Sequence, residues 1–148
     1  MYANDKNTFS FYTNQTYSDG VGTVGNTLFY PVAPPLFQTD KYLGSNKTQI
    51  YNGAYKKLFN KAGQTVDFEV NYSETNDSQE GNFGIAGNSS TNYKDNSDNT
   101  VNATQANLDY VHPFNEKSKL EVGAEYRKTS IDNGYRTTSA VGNQTDFT

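Results

Sequence analysis

The amino-acid sequence predicts an all-β fold, an antiparallel meander of about five strands. In several stretches apolar and polar residues alternate one by one, which is typical of strands with one apolar and one hydrated face. Short polar turns that suit β-hairpins join some of these stretches, and none shows the 3.6-residue periodicity of an amphipathic helix. We therefore expect a single sheet-forming segment over residues 1–148.

The composition favours a sheet with one apolar face over a large packed core. Hydrophobic residues make up only 33% of the chain, yet Tyr and Phe alone give an aromatic fraction of 14%. Disordered chains are poor in aromatic residues, so simple disorder does not explain this composition. Apolar residues this scarce cover one side of a sheet only if they occupy every second position. The abundant Asn, Thr, Ser and Gly suit turns and hydrated loops.

Charge and hydropathy exclude several classes of function. The formal net charge is −4, and no Lys/Arg cluster is interleaved with aromatic residues, so we expect no nucleic-acid partner. No apolar run reaches the length of a transmembrane helix, although a barrel strand needs only about 9–11 residues. Cysteine is absent, which fits a cytosolic or a bacterial envelope protein. The start, "MYANDKNTF", does not resemble a signal peptide, so either the protein is not exported or the chain is part of a longer one.

Two stretches alternate most regularly. In residues 65–75 the even positions from Val66 to Tyr72 are apolar and the odd positions are polar. In residues 119–131 the even positions from Leu120 to Tyr126 repeat this pattern. The predicted strands span about 8–17, 48–59, 65–75, 102–113 and 119–131.

The connections fall into two classes that alternate along the chain. Short turns are predicted at Asn4–Asn7, Asn60–Gly63 and Asn115–Ser118, and long loops at about 18–46, 76–100 and 132–148. Every short turn therefore lies at one end of the sheet and every long loop at the other. Transmembrane β-barrels have this asymmetry, so the segment is predicted to be part of one.

The aromatic residues fit the same interpretation. Tyr55, Phe59, Tyr110 and Phe114 fall near the short-turn end, where a barrel carries an aromatic girdle at the membrane interface. Tyr72 and Tyr126 fall at the opposite strand ends and would mark the outer girdle. The other strand face carries charged residues, which are costly inside a dry core but ordinary in a watery lumen.

Three segments carry a resemblance to a known family: "NDKNTFSFYTNQTYS", "YKKLFNKAGQTVDFEVNYSET" and "LDYVHPFNEKSKLEVGAEYRKT". They resemble barrel strands of the outer-membrane β-barrel family within the TonB-dependent receptors. The most specific part runs from Asp109-Tyr110 through Pro113-Phe114 to Ser118-Lys119-Leu120-Glu121 and Gly123.

The resemblance implies a 22-stranded barrel in the outer membrane of a Gram-negative bacterium, a plug domain, and uptake driven by the TonB complex. The chain has about five predicted strands and neither a plug nor a TonB box, so we expect it to be a piece of a receptor. The implied partners are outer-membrane lipid, the TonB complex through the missing plug, and the remaining barrel and plug. If the remaining barrel and plug are not the partner, self-association through edge strands is the alternative.

A calcium loop is the first candidate for site chemistry. Asp95, Ser97 and Asn99 have ligand spacing, but Thr100 and Ala106 stand where an EF-hand needs glycine and glutamate. We interpret this stretch as a hydrated loop and expect no metal site.

Catalytic chemistry has weak support. His112 is the only histidine, and a lone histidine rarely makes a metal site, so an interfacial position is expected. Asp67 and Glu69 share a strand face, a spacing that strand alternation produces constantly. We expect neither a catalytic nor a cofactor-binding site, and hence no enzyme.

The aromatic segment 28–46 is the best candidate for ligand contact. Pro31, Pro34 and Pro35 exclude a central strand there, and the segment is unusually apolar for a free loop. The possible contact residues are Phe29, Tyr30, Phe37 and Tyr42. Packing of these rings against a neighbouring loop or the plug is the alternative.

Two functional hypotheses follow from these observations. The first, implied by the resemblance, is binding and import of a nutrient such as a siderophore, glycan or peptide. The second is a secreted or surface-anchored β-sheet domain for adhesion or structure, which explains the polar loops without lipid. The sorted loop lengths favour the first hypothesis.

Overall fold

The computed structural model describes residues 2–86 and 88–139, which form one sheet of six strands in sequence order. The links between neighbouring strands are far too short for the crossover that parallel strands require, so the sheet is an antiparallel meander. This confirms the predicted fold class, and the sheet is not closed within the chain. The strands are β1 (Tyr2–Asn4), β2 (Asn7–Leu28), β3 (Leu36–Leu58), β4 (Thr65–Ile85), β5 (Asn88–Asn115) and β6 (Ser118–Thr137).

The short turns lie where the sequence predicts them. β1 and β2 pair around a turn at residues 5–6, with Tyr2 opposite Thr8. In the link between β3 and β4, the amide of Phe59 donates to the carbonyl oxygen of Gln64 at 3.0 Å. Gly63 has a φ of 77°, a left-handed conformation that a residue with a Cβ adopts only at a cost. The turn between β5 and β6 occupies residues 116–117.

The strands are much longer than predicted, which corrects the bounds of the long loops. Most of the predicted loop 18–46 lies in β2 and β3, and most of 76–100 lies in β4 and β5. Residues 132–137 belong to β6, and residues 140–148 lie outside the described residues. The three prolines do fall outside the strands, in the link between Leu28 and Leu36.

The physical reason for this difference is that an antiparallel ladder satisfies backbone groups whatever the side chains are. Alternation of polarity arises only where one face of the sheet leaves water. Cross-strand polar pairs accompany the non-alternating stretches: the Ser78 hydroxyl donates to Asp98 Oδ1 at 2.6 Å, and the Thr100 hydroxyl to Asn76 Oδ1 at 2.8 Å. These polar strands therefore lack the sustained apolar–polar alternation by which a sequence reveals a strand.

The contacts divide the chain into two compact units. Unit 1 comprises Met1–Gln15, Thr48–Glu74 and Val101–Ser130. Unit 2 comprises Thr16–Lys47, Thr75–Thr100 and the residues from Ile131. Each long strand contributes to both units.

Within the part of the chain that the structure describes, no apolar side chain is buried. Phe11 is 71% exposed and Val122 is 54% exposed, and many other large apolar residues are similarly open. No helix long and apolar enough to cross a membrane occurs among the described residues. The apolar side chains must therefore be covered by something other than this chain's own core.

Candidate functional site

Aromatic side chains concentrate at the short-turn end of unit 1. The rings of Phe9 and Tyr55 stack with centroids 4.6 Å apart, and the Tyr55 hydroxyl donates to Asn7 Oδ1 at 2.7 Å. His112 meets the ring of Phe114 edge-on at 5.2 Å. Each pair has an apolar ring body and a polar tip, which is the arrangement of side chains at a membrane–water interface.

Tyr110 is central to this turn-end cluster. Its ring packs edge-on against Phe59 at 6.5 Å, and its hydroxyl oxygen accepts from Gln64 Nε2 at 2.8 Å. The same hydroxyl lies 2.9 Å from His112 Nδ1. His112, the only histidine in the sequence, therefore belongs to the aromatic cluster, as an interfacial residue would.

A second aromatic level lies further along the strands of unit 1. Tyr51 and Tyr72 stack at 6.3 Å, and the Tyr72 hydroxyl donates to Asn102 Oδ1 at 2.9 Å. In β5, about eight residues separate Tyr110 from Asn102, which is about 27 Å along a strand at about 3.4 Å per residue. A tilt of about 40° shortens this to about 20 Å, close to the apolar band of about 25 Å in transmembrane barrels.

We expect Tyr110→Phe to lower the free energy of unfolding by about 1 kcal/mol, because it removes the hydroxyl but keeps the ring. The measurement is the urea midpoint of the parent barrel folded in lipid vesicles. An unchanged midpoint would show that the hydrogen bonds at this hydroxyl contribute nothing to stability.

The opposite face of unit 1 is polar, and its side chains pair across strands. Lys56 Nζ lies 3.0 Å from Asp67 Oδ1, joining β3 to β4. Gln105 Nε2 donates to Glu125 Oε1 at 2.7 Å, joining β5 to β6, and Arg127 also pairs with Glu125. We call this surface, with Asn52, Glu69 and Asp109, the polar face. Because these pairs are exposed, each contributes little to stability, and the face remains hydrated.

A concave region of about 430 Å³ lies in unit 1 and is lined mainly by polar-face residues. Thr8, Lys56, Asp67 and Asp109 contribute to its wall. At Gly123 a Cβ would lie only 2.7 Å from Asp109 Oδ1, so the glycine leaves room for that carboxylate. The side chains that line this region include hydrogen-bond donors and acceptors that are open to water. They suit contact with a polar surface or a polar solute.

Unit 2 carries a different surface, a cluster of rings on one side of three strands. Phe83 of β4 stacks on Tyr93 of β5 at 4.5 Å with an interplanar angle of 13°, and it meets Tyr42 of β3 edge-on at 5.7 Å. Tyr42, Phe83 and Tyr135 line a pocket of about 450 Å³ together with Asp95 and Ser97. We call this the aromatic pocket.

Carboxylates lie close to these rings. Partial burial, followed by the nearby carboxylates of Asp95 and Asp40, raises the pKa of Tyr93 above its usual value. Partial burial also raises the pKa of Tyr135, whose hydroxyl donates to Asp95. The side-chain amide of Asn82, followed by the Lys94 ammonium, lowers the pKa of Glu80 below its usual value. At neutral pH the phenols of Tyr93 and Tyr135 are therefore neutral and the carboxyl group of Glu80 is ionised.

A comparison with known families identifies the fold. The model of the outer membrane protein beta-barrel family matches residues 57–148, more than half of the chain. The chain belongs to this family. Among curated proteins, no match was found.

Family membership places this barrel protein in the outer membrane of Gram-negative bacteria, as the sequence predicted. A barrel of this kind is embedded in lipid. Lipid would therefore cover the turn-end aromatic cluster and the exposed apolar face of unit 1. Among the described residues, no group of three or more His, Cys, Asp or Glu side chains could hold a metal ion.

The four predicted ligand-contact residues of the barrel do not form one surface. Phe29 and Tyr30 lie in the link between β2 and β3, and Phe29 is 80% exposed. Phe37 and Tyr42 both lie in β3, but five positions apart, so a regular strand directs them to opposite faces. Of the four, only Tyr42 lines the aromatic pocket.

Sequence reasoning missed the other members of the pocket. The sequence predicts long loops at Phe83, Asp95 and Tyr135, whereas all three residues lie in strands. The available signal was period-two spacing of aromatic and small or acidic residues, as in Gly81 and Phe83 or Tyr93 and Asp95. This spacing places the residues on one face only if the segment is already known to be a strand.

Proposed function

We propose that this chain forms part of the wall of an outer-membrane transporter of the TonB-dependent receptor type, which imports a nutrient such as a siderophore, glycan or peptide. The observation that supports this most directly is the sorting of unit 1 into an aromatic, apolar face and a charged polar face. The proposed role is binding and transport without catalysis.

The polar face supports a water-filled or plug-filled interior. Lys56, Asp67 and Glu125 would be costly against lipid, whereas a hydrated interior accommodates them easily. Ionic and hydrogen-bonding side chains across four strands also offer many weak contacts to a plug domain or a passing solute. The carboxylate of Asp109 beside Gly123 is one such contact point.

The strand lengths support a protein that reaches well beyond the bilayer. A transmembrane strand needs about 9–11 residues, whereas β4 has 21 residues and β5 has 28. The surplus residues of these strands must lie outside the hydrocarbon region. Strands of this length suit a receptor that captures a ligand before it crosses the membrane.

We expect deletion of the parent gene to abolish growth on the imported nutrient, and loss of TonB to have the same effect while the receptor stays in the membrane. Growth and radiolabelled uptake would be measured on iron–siderophore, glycan and peptide sources in the wild-type, receptor-deleted and TonB-deleted strains. Receptor abundance, measured in outer-membrane fractions, separates a failure of transport from a failure of assembly.

Uptake that is unaffected by loss of TonB would contradict the proposal. If the receptor-deleted strain lost only surface attachment, the adhesion hypothesis would replace it.

A further inference from the structure

The aromatic pocket of unit 2 has a floor of glycines. Four of them line it from β2, β3 and β4: Gly20, Gly22, Gly44 and Gly81. A Cβ at Gly20 or Gly22 would meet nothing within 4 Å, and one at Gly44 would meet only a backbone oxygen, at 3.9 Å. The space above these glycines is therefore free, and the pocket volume of about 450 Å³ lies in the usual range of ligand sites, about 300–1,000 Å³.

The walls of the pocket present aromatic surface. Tyr42 is 42% exposed and Tyr135 is 40% exposed, so a molecule in the pocket can reach both rings. Phe83 holds Tyr42 from behind by an edge-on contact and is itself stacked on Tyr93. The face of an aromatic ring attracts a cation within about 6 Å of the ring centroid, because the ring quadrupole is negative there.

Three acidic side chains lie on the strand face that carries the pocket. Asp95 lines the pocket, and Asp40 and Asp77 are each two positions from a lining residue, Tyr42 and Gln79. Strand alternation therefore places all three acids on the same face. The carboxylates of Asp95 and Asp40 also raise the pKa of Tyr93, after the larger effect of partial burial, so both lie near the rings.

These acids have only neutral side-chain donors among the described residues. The donors are the amides of Gln38 and Asn26 for Asp40, the amide of Asn46 for Asp77, and the hydroxyl of Tyr135 for Asp95. Asp40 is only 5% exposed, and Gln38 Nε2 reaches both of its carboxylate oxygens, at 2.8 and 3.0 Å. Neutral donors stabilise a carboxylate but leave its charge in place, and such a charge is costly away from water.

The cations of unit 2 lie on the other strand face. Its sequence contains four of them: Lys41, Lys47, Lys94 and Arg136. Each is adjacent in a strand to a residue of the pocket face, in order Tyr42, Asn46, Asp95 and Tyr135, so alternation directs it away from the pocket.

Contacts at Glu80 agree with this assignment. Glu80 stands between the pocket-face positions Gln79 and Gly81. Its carboxylate pairs with Lys94 at 3.7 Å and lies near Lys41, so two of the four cations meet an acid on the opposite face. The acids of the pocket face therefore have no cation to match them.

We propose that the aromatic pocket binds an organic cation, an ammonium or guanidinium group on an apolar stem, which lies against the rings of Tyr42 and Tyr135. The three acids attract the positive charge across the pocket, and this attraction needs no contact with a carboxylate oxygen. The rings favour an organic cation over a metal ion, because they contact the stem as well as the charge. The inference rests on the proposed function and narrows the nutrient to one with a cationic group, such as a basic peptide.

The test uses the full-length parent barrel purified in detergent. The probes are four acetylated tripeptides with the same neutral fluorophore, in which glycines flank a central lysine, arginine, glutamine or glutamate. Fluorescence polarisation gives a Kd for each probe, with empty micelles as the blank. We expect the lysine or arginine probe to bind at least about tenfold more tightly than the glutamine probe, and to weaken between about 0.15 and 1 M salt.

Other orders of affinity contradict the assignment. If the glutamine or glutamate probe binds as tightly as both cationic probes, or if neither cationic probe binds, the proposal is overturned.

A matched pair of variants tests the charge. Asp95→Asn keeps the shape of the side chain but removes its charge, so we expect the cationic probe to bind at least about fivefold more weakly. Asp98→Asn makes the same change in the same strand, three positions away on the opposite face, where Asp98 accepts from Ser78. We expect the Kd to be unchanged in this control. Equal losses in the two variants would overturn the role of Asp95.

A second pair tests the space. Gly22→Leu places a side chain in the pocket without a clash, because nothing lies within 4 Å of a Cβ there, and should weaken every bound probe at least about tenfold. Gly25→Leu is the control in the same strand, at an equally open position on the opposite face. Wild-type affinity in Gly22→Leu overturns the assignment of this pocket, even if Asp95→Asn fails to fold.

The outcomes separate this inference from the proposed function. Binding in detergent needs no TonB, so preferential binding of a cationic probe with TonB-independent uptake would support the pocket and contradict the transporter type. TonB-dependent uptake without any preference for a cationic probe would contradict the pocket assignment alone.

Discussion

Val122→Arg is expected to prevent most of the parent barrel from assembling in the outer membrane. Val122 lies in the alternating part of β6 and is 54% exposed, without a protein core to cover it. If this face contacts lipid, an arginine near the bilayer midplane costs about 2–4 kcal/mol. That cost corresponds to a loss of about 30-fold or more in the ratio of assembled to unassembled protein.

Glu121→Arg is the matched control, one residue away on the opposite strand face. Glu121 pairs with Lys119 at 2.6 Å on an exposed surface, so replacing it removes a weak pair and adds a hydrated charge. We expect assembly to be nearly intact. Outer-membrane fractionation and the electrophoretic shift of the folded barrel on heating measure both variants.

Equal assembly of the two variants would contradict the predicted facing of the sheet. Nitroxide labels provide an independent check: labels at Val66 and Val122 should report lipid, and labels at Asp67 and Glu121 should report water. The reverse result would remove the main physical support for the lipid-facing assignment and favour the adhesion-type domain.

The sequence predicted those strands in which the surroundings of each face determine whether its residues are apolar or polar. From Val66 to Tyr72 and from Leu120 to Tyr126, apolar and polar positions alternate because the two strand faces meet different surroundings. The short turns were predictable for a local reason: glycine, asparagine and charged residues suit tight reversals, and Gly63 adopts a left-handed conformation.

The length of the strands was not predictable from the same rule. Residues such as Asn76, Ser78 and Asp98 bond across strands through their side chains, and the backbone ladder holds them without an apolar face. Because both faces of such a ribbon tolerate polar residues, its sequence resembles that of a hydrated loop. Long-range pairing, rather than local propensity, decides between the two states.

The candidate site shows the same limit. The sequence predicts Tyr42 as a contact residue because aromatic rings are unusual in a polar loop. The residues that share its pocket, Phe83 and Asp95, lie on two other strands. Only the register of β3, β4 and β5 brings these residues together, and the sequence does not specify that register where alternation fails. Phe37 and Tyr42 are close in the chain, which suggests a shared surface. In a strand, however, residues an odd number of positions apart point to opposite faces of the sheet.

The isolated 148-residue chain is expected to form oligomers or aggregates in detergent-free buffer. Among its described residues no apolar side chain is buried, and Phe11, Leu120 and Val122 remain 46–71% exposed on the sheet. β6 and most of β2 also lie at sheet edges, with backbone groups open to another strand. Sedimentation velocity across a range of protein concentrations measures the state directly.

A mild detergent supplies the matched control, because micelles cover the apolar face without pairing the strand edges. We expect the sedimenting species to become smaller in detergent while the β-sheet signal in circular dichroism persists. A monodisperse monomer in plain buffer with a cooperative thermal transition would show that the apolar face has its own cover. Such a monomer would contradict the lipid-facing assignment, since a face that needs lipid cannot also be stable in water.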